Sequence, residues 1–296
     1  MAPPMHMAKG RFEAGLVAAM LDDALRADVR IYGISGLQGS GKSTLAGQMA
    51  SEAGRRGLRC AVLSIDDFYL SRARRLRLAR EVHPLLETRG PPGTHDLPLA
   101  IEVLDALRAG RGTLLPRFDK LADDRIPADR WPSAGQVDLV LFEGWFLCTP
   151  PEAPAALATP LNALERDEDA DGLWRRGCNA ALARGYPALW GRIDRLLLLQ
   201  APSFDVVPAW RWEAEQALRA ARTIPGDSGE GMGGSGGGMD RAGIDRFVQH
   251  CERVSRQALR TLPGIADRVI ALDPHRRATA WTAGTPGATG LNPPRS

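Results

Sequence analysis

The sequence predicts a three-layer α/β fold on a mainly parallel sheet with a helical lid, and three observations predict it. A stretch that reads as a buried strand (29–35) runs into a glycine-rich turn (36–41) and then into an amphipathic helical stretch (42–53). A second apolar stretch, 60–65, follows directly after the short turn 55–57. Three further strand-like stretches, 138–142, 193–199 and 268–272, recur later in the chain, the first with a continuous apolar run over 139–142 of the kind a strand buried on both faces shows. A chain that spells strand, turn, helix, strand in its first 65 residues is opening a parallel sheet.

The other elements follow in order. Residues 1–10 read as a disordered tail, and 11–27 carry a helical pattern through Phe12, Leu16, Ala19, Met20 and Leu25. Residues 71–95 are rich in arginine and proline and poorly periodic. Asp96 can cap a helix carrying Leu97, Ile101, Leu104 and Leu107. Residues 112–136 read as loop and 150–191 as alanine-rich helix. A strong helix over 210–222 is followed by a glycine-serine segment, 226–238, flexible by composition. A helix over 244–262 precedes the last strand, and the composition from 278 onward is that of a disordered end. The expected organisation is an N-terminal tail and helix (1–28), a catalytic domain (29–277, lid region about 205–245) and a C-terminal tail (278–296).

The bulk properties narrow the function. The chain has 296 residues, 44% apolar and 25% charged, enough for a sizeable core in one or two domains. A net charge of +3 with interspersed signs gives no electrostatic reason to expect a nucleic acid or membrane partner. No apolar run approaches the roughly 20 residues of a membrane helix, and no secretory pattern is visible at the start. Cys60, Cys148, Cys178 and Cys251 are far apart, without C-x-x-C. A cytoplasmic chain with free thiols is expected, with no disulfide framework or zinc site. Arginines number 35 and lysines three: Lys9, Lys42 and Lys120. Where arginine serves for ordinary charge, a lysine hints that the compact ammonium matters.

Gly36-Leu37-Gln38-Gly39-Ser40-Gly41-Lys42-Ser43 fits G-x-x-x-x-G-K-[ST] without a mismatch. The glycines let the backbone wrap so that several N–H groups meet one phosphate chain, and the helix N-terminus beyond adds a positive dipole. Lys42 would reach the β- and γ-phosphates and the Ser43 hydroxyl a Mg²⁺ ion. Gly36, Gly39, Ser40, Gly41, Lys42, Ser43 and Thr44 are therefore the candidate ATP-binding residues of a P-loop NTPase fold. The motif names the nucleotide and not the acceptor.

Acids at strand ends supply the chemistry. Asp66 and Asp67 follow the second strand and, in a parallel sheet, face the same edge as the loop. A carboxylate there can take the proton of an attacking hydroxyl, and Asp66 is the preferred base. Capped, solvated turn acids are the alternative. Glu143 follows the strand 138–142, where an acid holds Mg²⁺ or orients its water, so Ser43 and Glu143 are the candidate metal residues. Arg211, Glu215 and Arg219 lie at i, i+4 and i+8 on the 210–222 helix. A lid arginine from that stripe, Arg211 or Arg219, could stabilise transition-state charge, or the stripe could be a solvated face. Arg72, Arg74, Arg75, Arg77 and Arg80 could steer an anionic substrate or form a solvated helix face.

Further segments carry a resemblance. Gly33 to Thr44, Ser64-Ile65-Asp66-Asp67-Phe68-Tyr69-Leu70, Leu86-Glu87-Thr88-Arg89-Gly90 and Gly93-Thr94-His95-Asp96-Leu97 form its first half. Pro116-Arg117-Phe118-Asp119-Lys120, Asp129-Arg130-Trp131-Pro132, Leu141-Phe142-Glu143-Gly144-Trp145, and Trp210-Arg211 with Glu215, Leu218 and Arg219 complete it. Together, over about residues 29–273, they resemble the D-glycerate 3-kinases of the plant and fungal type and their bacterial relatives, a group related to uridine kinases, pantothenate kinases and phosphoribulokinases. The resemblance implies transfer of the ATP γ-phosphoryl group to the 3-hydroxyl of D-glycerate, with Asp66 as base and Glu143 near metal and substrate. An acceptor carboxylate needs a cation. Arg89, His95, Arg117 and Lys120 are the candidates, with Asp67 and Tyr69 also placed at the acceptor; His95 could instead cap the next helix. The alternatives are a related small-molecule kinase for uridine, pantothenate or a sugar phosphate, or a nucleotide-hydrolysing switch. No N-K-x-D guanine-reading segment is present.

Overall fold

Strand β1 (Ile31–Gly36) is buried along its whole length, as its lack of charged residues requires. The computed structural model of the chain describes residues 11–26, 29–222 and 239–283, apart from the side chains of 218–222 and 283. Helix α1 (Ala14–Ala24) precedes β1, and α2 (Lys42–Arg55) joins it to β2 (Cys60–Ser64). After α3 (Arg72–Glu81) and α4 (Leu97–Arg108) come four two-residue strands: β3 (Thr113–Leu114), β4 (Phe118–Asp119), β5 (Asp124–Arg125) and β6 (Ser133–Ala134). They form two small antiparallel ladders, β3 with β6 and β4 with β5. Then follow β7 (Leu139–Gly144), α5 (Ala163–Glu168), α6 (Leu173–Arg184), α7 (Tyr186–Trp190) and β8 (Arg195–Gln200). Helices α8 (Val207–Arg222) and α9 (Arg241–Thr261) lead to β9 (Arg268–Leu272) and β10 (Ala278–Ala283).

The main sheet has the order β10-β9-β8-β1-β7-β2, and only its last strand, β10, runs antiparallel. Period-two alternation divides the core. Tyr32, Ile34, Leu139, Leu141, Leu197 and Leu199 point to the face covered by α1 and α2. Ile31, Val140, Phe142, Leu196 and Leu198 point to the face covered by α4 and α7. Helix α9 feeds both faces, with Ile244 and Val248 on the first and Cys251, Val254 and Ala258 on the second. The expected three layers are present.

Three local expectations are corrected. The aperiodic stretch 71–95 contains α3. It has no apolar stripe to read, because its buried residue is Arg75, whose guanidinium donates to the carbonyls of Leu70, Glu87 and Asp123 at 3.2, 2.6 and 2.6 Å. Of that arginine cluster, Arg75 thus acts as an internal brace and Arg74 pairs with Asp96 at 2.7 Å, so neither steers substrate. The supposed loop 112–136 holds the two ladders. The supposed disordered end holds β10, an exposed alanine- and threonine-rich strand with an exposed Trp281 and no bulky aliphatic residue, so it lacks the signature of a buried strand. The four cysteines are free. Among the described residues no helix is long and apolar enough to cross a membrane.

Candidate active site

Register builds the site. Ser64 pairs with Glu143, and Glu143 with Ile34, so the residues just beyond these three positions leave the sheet at one edge. The phosphate loop leaves β1 there. Gly39 and Gly41 have φ of 78° and 94°, which glycine adopts at no steric cost. A Cβ on Gly39 would also stand 2.7 Å from Cβ of Trp210. Gly36 sits beneath the loop, where a Cβ would meet the Leu199 carbonyl oxygen at 2.8 Å. Its role is to let the loop pack. Ser40, Gly41, Lys42, Ser43 and Thr44 line a cleft of about 780 Å³.

Inside that cleft Lys42 is buried and donates to the Leu37 carbonyl at 3.0 Å. Burial lowers its pKa, against the pull of Glu143 and Asp66. Ser43 donates to Oε1 of Glu143 at 2.7 Å. A hydroxyl and a buried carboxylate in contact are hard oxygen donors of the kind Mg²⁺ takes. The buried Ser40 hydroxyl and the Gln38 amide nitrogen have no hydrogen-bond partner among the described residues. Buried polar atoms are rarely left so, and both stand in the wall of the cleft, so the cradle fits a phosphate chain with its metal.

The two adjacent acids have different jobs. Asp66 faces the cleft. Its Oδ1 accepts the Tyr69 hydroxyl at 2.7 Å and its Oδ2 accepts Lys120 Nζ at 2.7 Å. Burial would raise its pKa, but the Lys120 charge and these two hydrogen bonds outweigh it and hold the carboxyl well below the usual range. Asp67 turns away. It accepts the backbone N–H of Ser64 and of Phe118, and Arg117, at 3.4, 3.3 and 3.3 Å. With Ser64 it closes a capping box around the short turn after β2. Burial pushes its carboxyl up to about 6, against the pull of Arg117.

The candidate cations separate likewise. Lys120 stands at the tip of the β4–β5 hairpin. Arg89 also lines the cleft, paired with Asp123, donating to the Lys120 carbonyl at 3.1 Å and lying 5.6 Å over the Phe118 ring. Arg211 lines the cleft, paired with Glu215 at 3.3 Å and 5.6 Å over Phe247. Arg117 lines a separate groove beside β2, with Arg59 and Val62. His95 is buried behind Tyr69, which it joins through an isolated bridge and a ring contact of 4.7 Å. Its Nδ1 lies 2.6 Å from the Tyr186 hydroxyl, and burial lowers its pKa to about 3, so it carries no positive charge to offer a carboxylate. Asp67, Arg117 and His95 are thus corrected from acceptor contacts to supports: two are turned out of the cleft and one is neutral behind it. The Arg219 side chain lies outside the described residues.

Some lining residues had no clear signal in the sequence. Phe12 reaches the cleft because Gln48 of α2 clamps its backbone, accepting its N–H at 3.0 Å and donating to its carbonyl at 2.9 Å. Its ring would lie 3.3 Å from a Cβ on Gly41. Arg276, from the turn after β9, lines the same end and pairs with Glu213. Phe247 lines the cleft too; an apolar residue on a helix face reads as core.

No family model matches the chain. Over 202 residues, 64% of this chain and 71% of the relative, it is 35% identical to the uncharacterized kinase mug58 of Schizosaccharomyces pombe. Over 205 residues, 64% of this chain and 41% of the relative, it is 31% identical to the chloroplastic D-glycerate 3-kinase of Arabidopsis thaliana. The chain belongs to the D-glycerate 3-kinase family of P-loop kinases. A solved structure, the D-glycerate 3-kinase of Cryptococcus neoformans, shares its fold with a TM-score of 0.67 and 24% identity, over 91% of this chain and 97% of that one. The family member described here is an ATP-dependent kinase acting on a small molecule. Its phosphate loop lines the same cleft as Asp66.

Proposed function

We propose that this kinase phosphorylates the 3-hydroxyl of D-glycerate, giving 3-phospho-D-glycerate and ADP. The observation that carries the proposal is the Asp66–Lys120 pair, 2.7 Å apart in the wall of the ATP cleft. One member can take a proton and the other can meet a carboxylate. A hydroxy acid asks for both. The 31% identity to a protein named D-glycerate 3-kinase supports the choice among hydroxy acids.

The acceptor hydroxyl oxygen attacks the γ-phosphorus, and its proton passes to Oδ2 of Asp66. The bond from the γ-phosphorus to the bridging oxygen breaks in line, and that oxygen leaves with ADP. Lys42 stays charged against the phosphates, where the incoming anion offsets the burial that now lowers its pKa. Ser43 and Glu143 would hold Mg²⁺, which supplies charge neutralisation when bound. Arg211 from α8 and Arg89 add positive charge at the cleft wall, while Tyr69 fixes the orientation of Asp66.

A coupled assay of ADP release tests this with D-glycerate, L-glycerate, pantothenate and uridine as acceptors. D-glycerate is expected to give the highest kcat/KM, by about 100-fold or more over the neutral nucleoside. Preference for uridine or pantothenate would replace the reading with a neighbouring kinase activity. ADP release equal with and without every acceptor would point to a nucleotide-hydrolysing switch.

A further inference from the structure

We infer that Lys120 restricts this kinase to anionic acceptors by occupying Asp66 until an acceptor's own carboxylate draws the ammonium away. The inference deepens the proposed function and rests on its assignment of Asp66 as base.

The two partners of Asp66 differ in freedom. Tyr69 is buried, with its ring 4.7 Å from that of His95 and 5.2 Å from that of Phe118, so its hydroxyl cannot leave Oδ1 without repacking. Lys120 has a side chain 49% exposed. What the fold grips is its backbone: Arg89 holds the Lys120 carbonyl and Asp123, Arg75 holds the Asp123 carbonyl, and the Arg72 N–H holds Asp124 at 2.9 Å. The hairpin is braced by arginines on both sides while the four-carbon stem and its ammonium can swing. This explains why a lysine stands where the sequence otherwise uses arginine; a rigid fork would not make the exchange as readily.

Among the described residues, other cations that line the cleft have partners elsewhere: Arg89 is paired with Asp123, Arg211 with Glu215 and Arg276 with Glu213. Lys42 stands in the phosphate loop. Of these cations, Lys120 is the one paired with the group that the proposed reaction needs. An acceptor carboxylate offers the ammonium a second anion, and the acceptor hydroxyl then replaces it on Oδ2. Each of the two charges keeps a partner through the exchange, and the ammonium keeps its proton. A neutral polyol offers no such replacement, so stripping Lys120 from Asp66 would leave the carboxylate without its counter-ion, which is costly. Water meets the same barrier, which would suppress wasteful hydrolysis of ATP.

The test compares wild type, Lys120→Met and Lys120→Arg with D-glycerate, with its neutral amide D-glyceramide, and with no acceptor. In Lys120→Met, kcat/KM for D-glycerate should fall about 100-fold, the loss of one charge-assisted contact. Turnover of D-glyceramide and acceptor-free ADP release should both rise, about 10-fold, because the base is no longer held. Lys120→Arg should keep a preference for the acid. Unchanged D-glyceramide turnover in Lys120→Met would mean that Lys120 only binds the carboxylate, and a parallel fall would make it a catalytic charge; either overturns the inference. Separately, turnover by Asp66→Asn equal to wild type would remove the base assignment itself. A wild type whose preferred acceptor is neutral would overturn both.

Discussion

The two ends of the cleft are built by opposite means. At the phosphate end, one contiguous stretch from Gln38 to Thr44 supplies the backbone, the ammonium and the hydroxyl, and glycines at positive φ shape it. At the proposed acceptor end, six side chains come from five segments: Asp66 and Tyr69 after β2, Arg89 before α4, Lys120 on the hairpin, Arg211 on α8 and Phe247 on α9. The first end is local and general to any triphosphate. The second is assembled over long sequence separations and depends on tertiary braces such as Arg75, so it is where specificity can vary without disturbing ATP binding.

The strongest test of that division removes one group from each end. Lys42→Ala should lower kcat by about 1,000-fold or more and weaken ATP binding, since a charge aimed at the transferred phosphoryl is lost. Asp66→Asn should lower kcat by about 100- to 10,000-fold, the range of a general base, yet leave the ATP dissociation constant within about threefold of wild type. Equilibrium nucleotide binding and steady-state rates measured on both variants decide the matter. If Asp66→Asn loses ATP affinity as Lys42→Ala does, the two ends are not separate.

The same division governs what the sequence discloses. The phosphate loop, the strands marked by apolar runs and the positions of Asp66 and Glu143 at strand ends are legible because one short segment, or one strand end, carries the whole physical reason. The acceptor end is less so. Asp66 and Asp67 are neighbours with the same chemistry, and only the turn after β2 decides that one faces ATP and the other closes a capping box. Arg75 and Arg117 look like the substrate-facing arginines but brace carbonyls and an acid. Helix α3 and strand β10 escape a pattern-based reading because they bury little apolar surface, so neither periodicity nor hydrophobicity marks them. Phe12 reads as part of a helix that in fact begins two residues later, at Ala14; its clamp by Gln48 spans 36 positions.

That clamp sharpens the comparison at the nucleotide side. Gln48 does not line the cleft, so it acts through Phe12. Gln48→Ala should raise KM for ATP about three- to tenfold by freeing the Phe12 segment, with kcat and KM for the acceptor little changed. Phe12→Ala should do the same. A change in acceptor KM instead would mean that the segment serves the other end.

Asp67 provides a smaller, pH-dependent effect on stability. Its folded carboxyl titrates at about 6, above the roughly 3.9 of an unfolded aspartate. Folding therefore favours the protonated form. The contribution is complete below about pH 4, declines as pH rises towards 6 and is gone above it, with a total of at most about 3 kcal/mol. Asp67→Asn stays neutral throughout. Denaturant melts should thus show wild type losing ground against Asp67→Asn between pH 4.5 and 6.5, with a constant difference above. A gap that moves the other way would mean that Arg117 and the Ser64 and Phe118 amides outweigh burial.

The smallest expected effect concerns Arg117. It sits three residues from Lys120 in sequence and beside the same hairpin, yet its guanidinium reaches Asp67 at 3.3 Å and its own neighbour's carbonyl, Pro116, at 3.0 Å, in the groove beside β2. One half-exposed ion pair of this kind contributes about 1 kcal/mol or less. Arg117→Ala should leave kcat and both KM values within about threefold of wild type and lower Tm by a few degrees at most. A tenfold rise in acceptor KM would instead bring Arg117 into the cleft upon substrate binding. The acceptor end would then include a cation that the free enzyme keeps turned away, and the contrast between its two ends would extend from how they are built to how far they move.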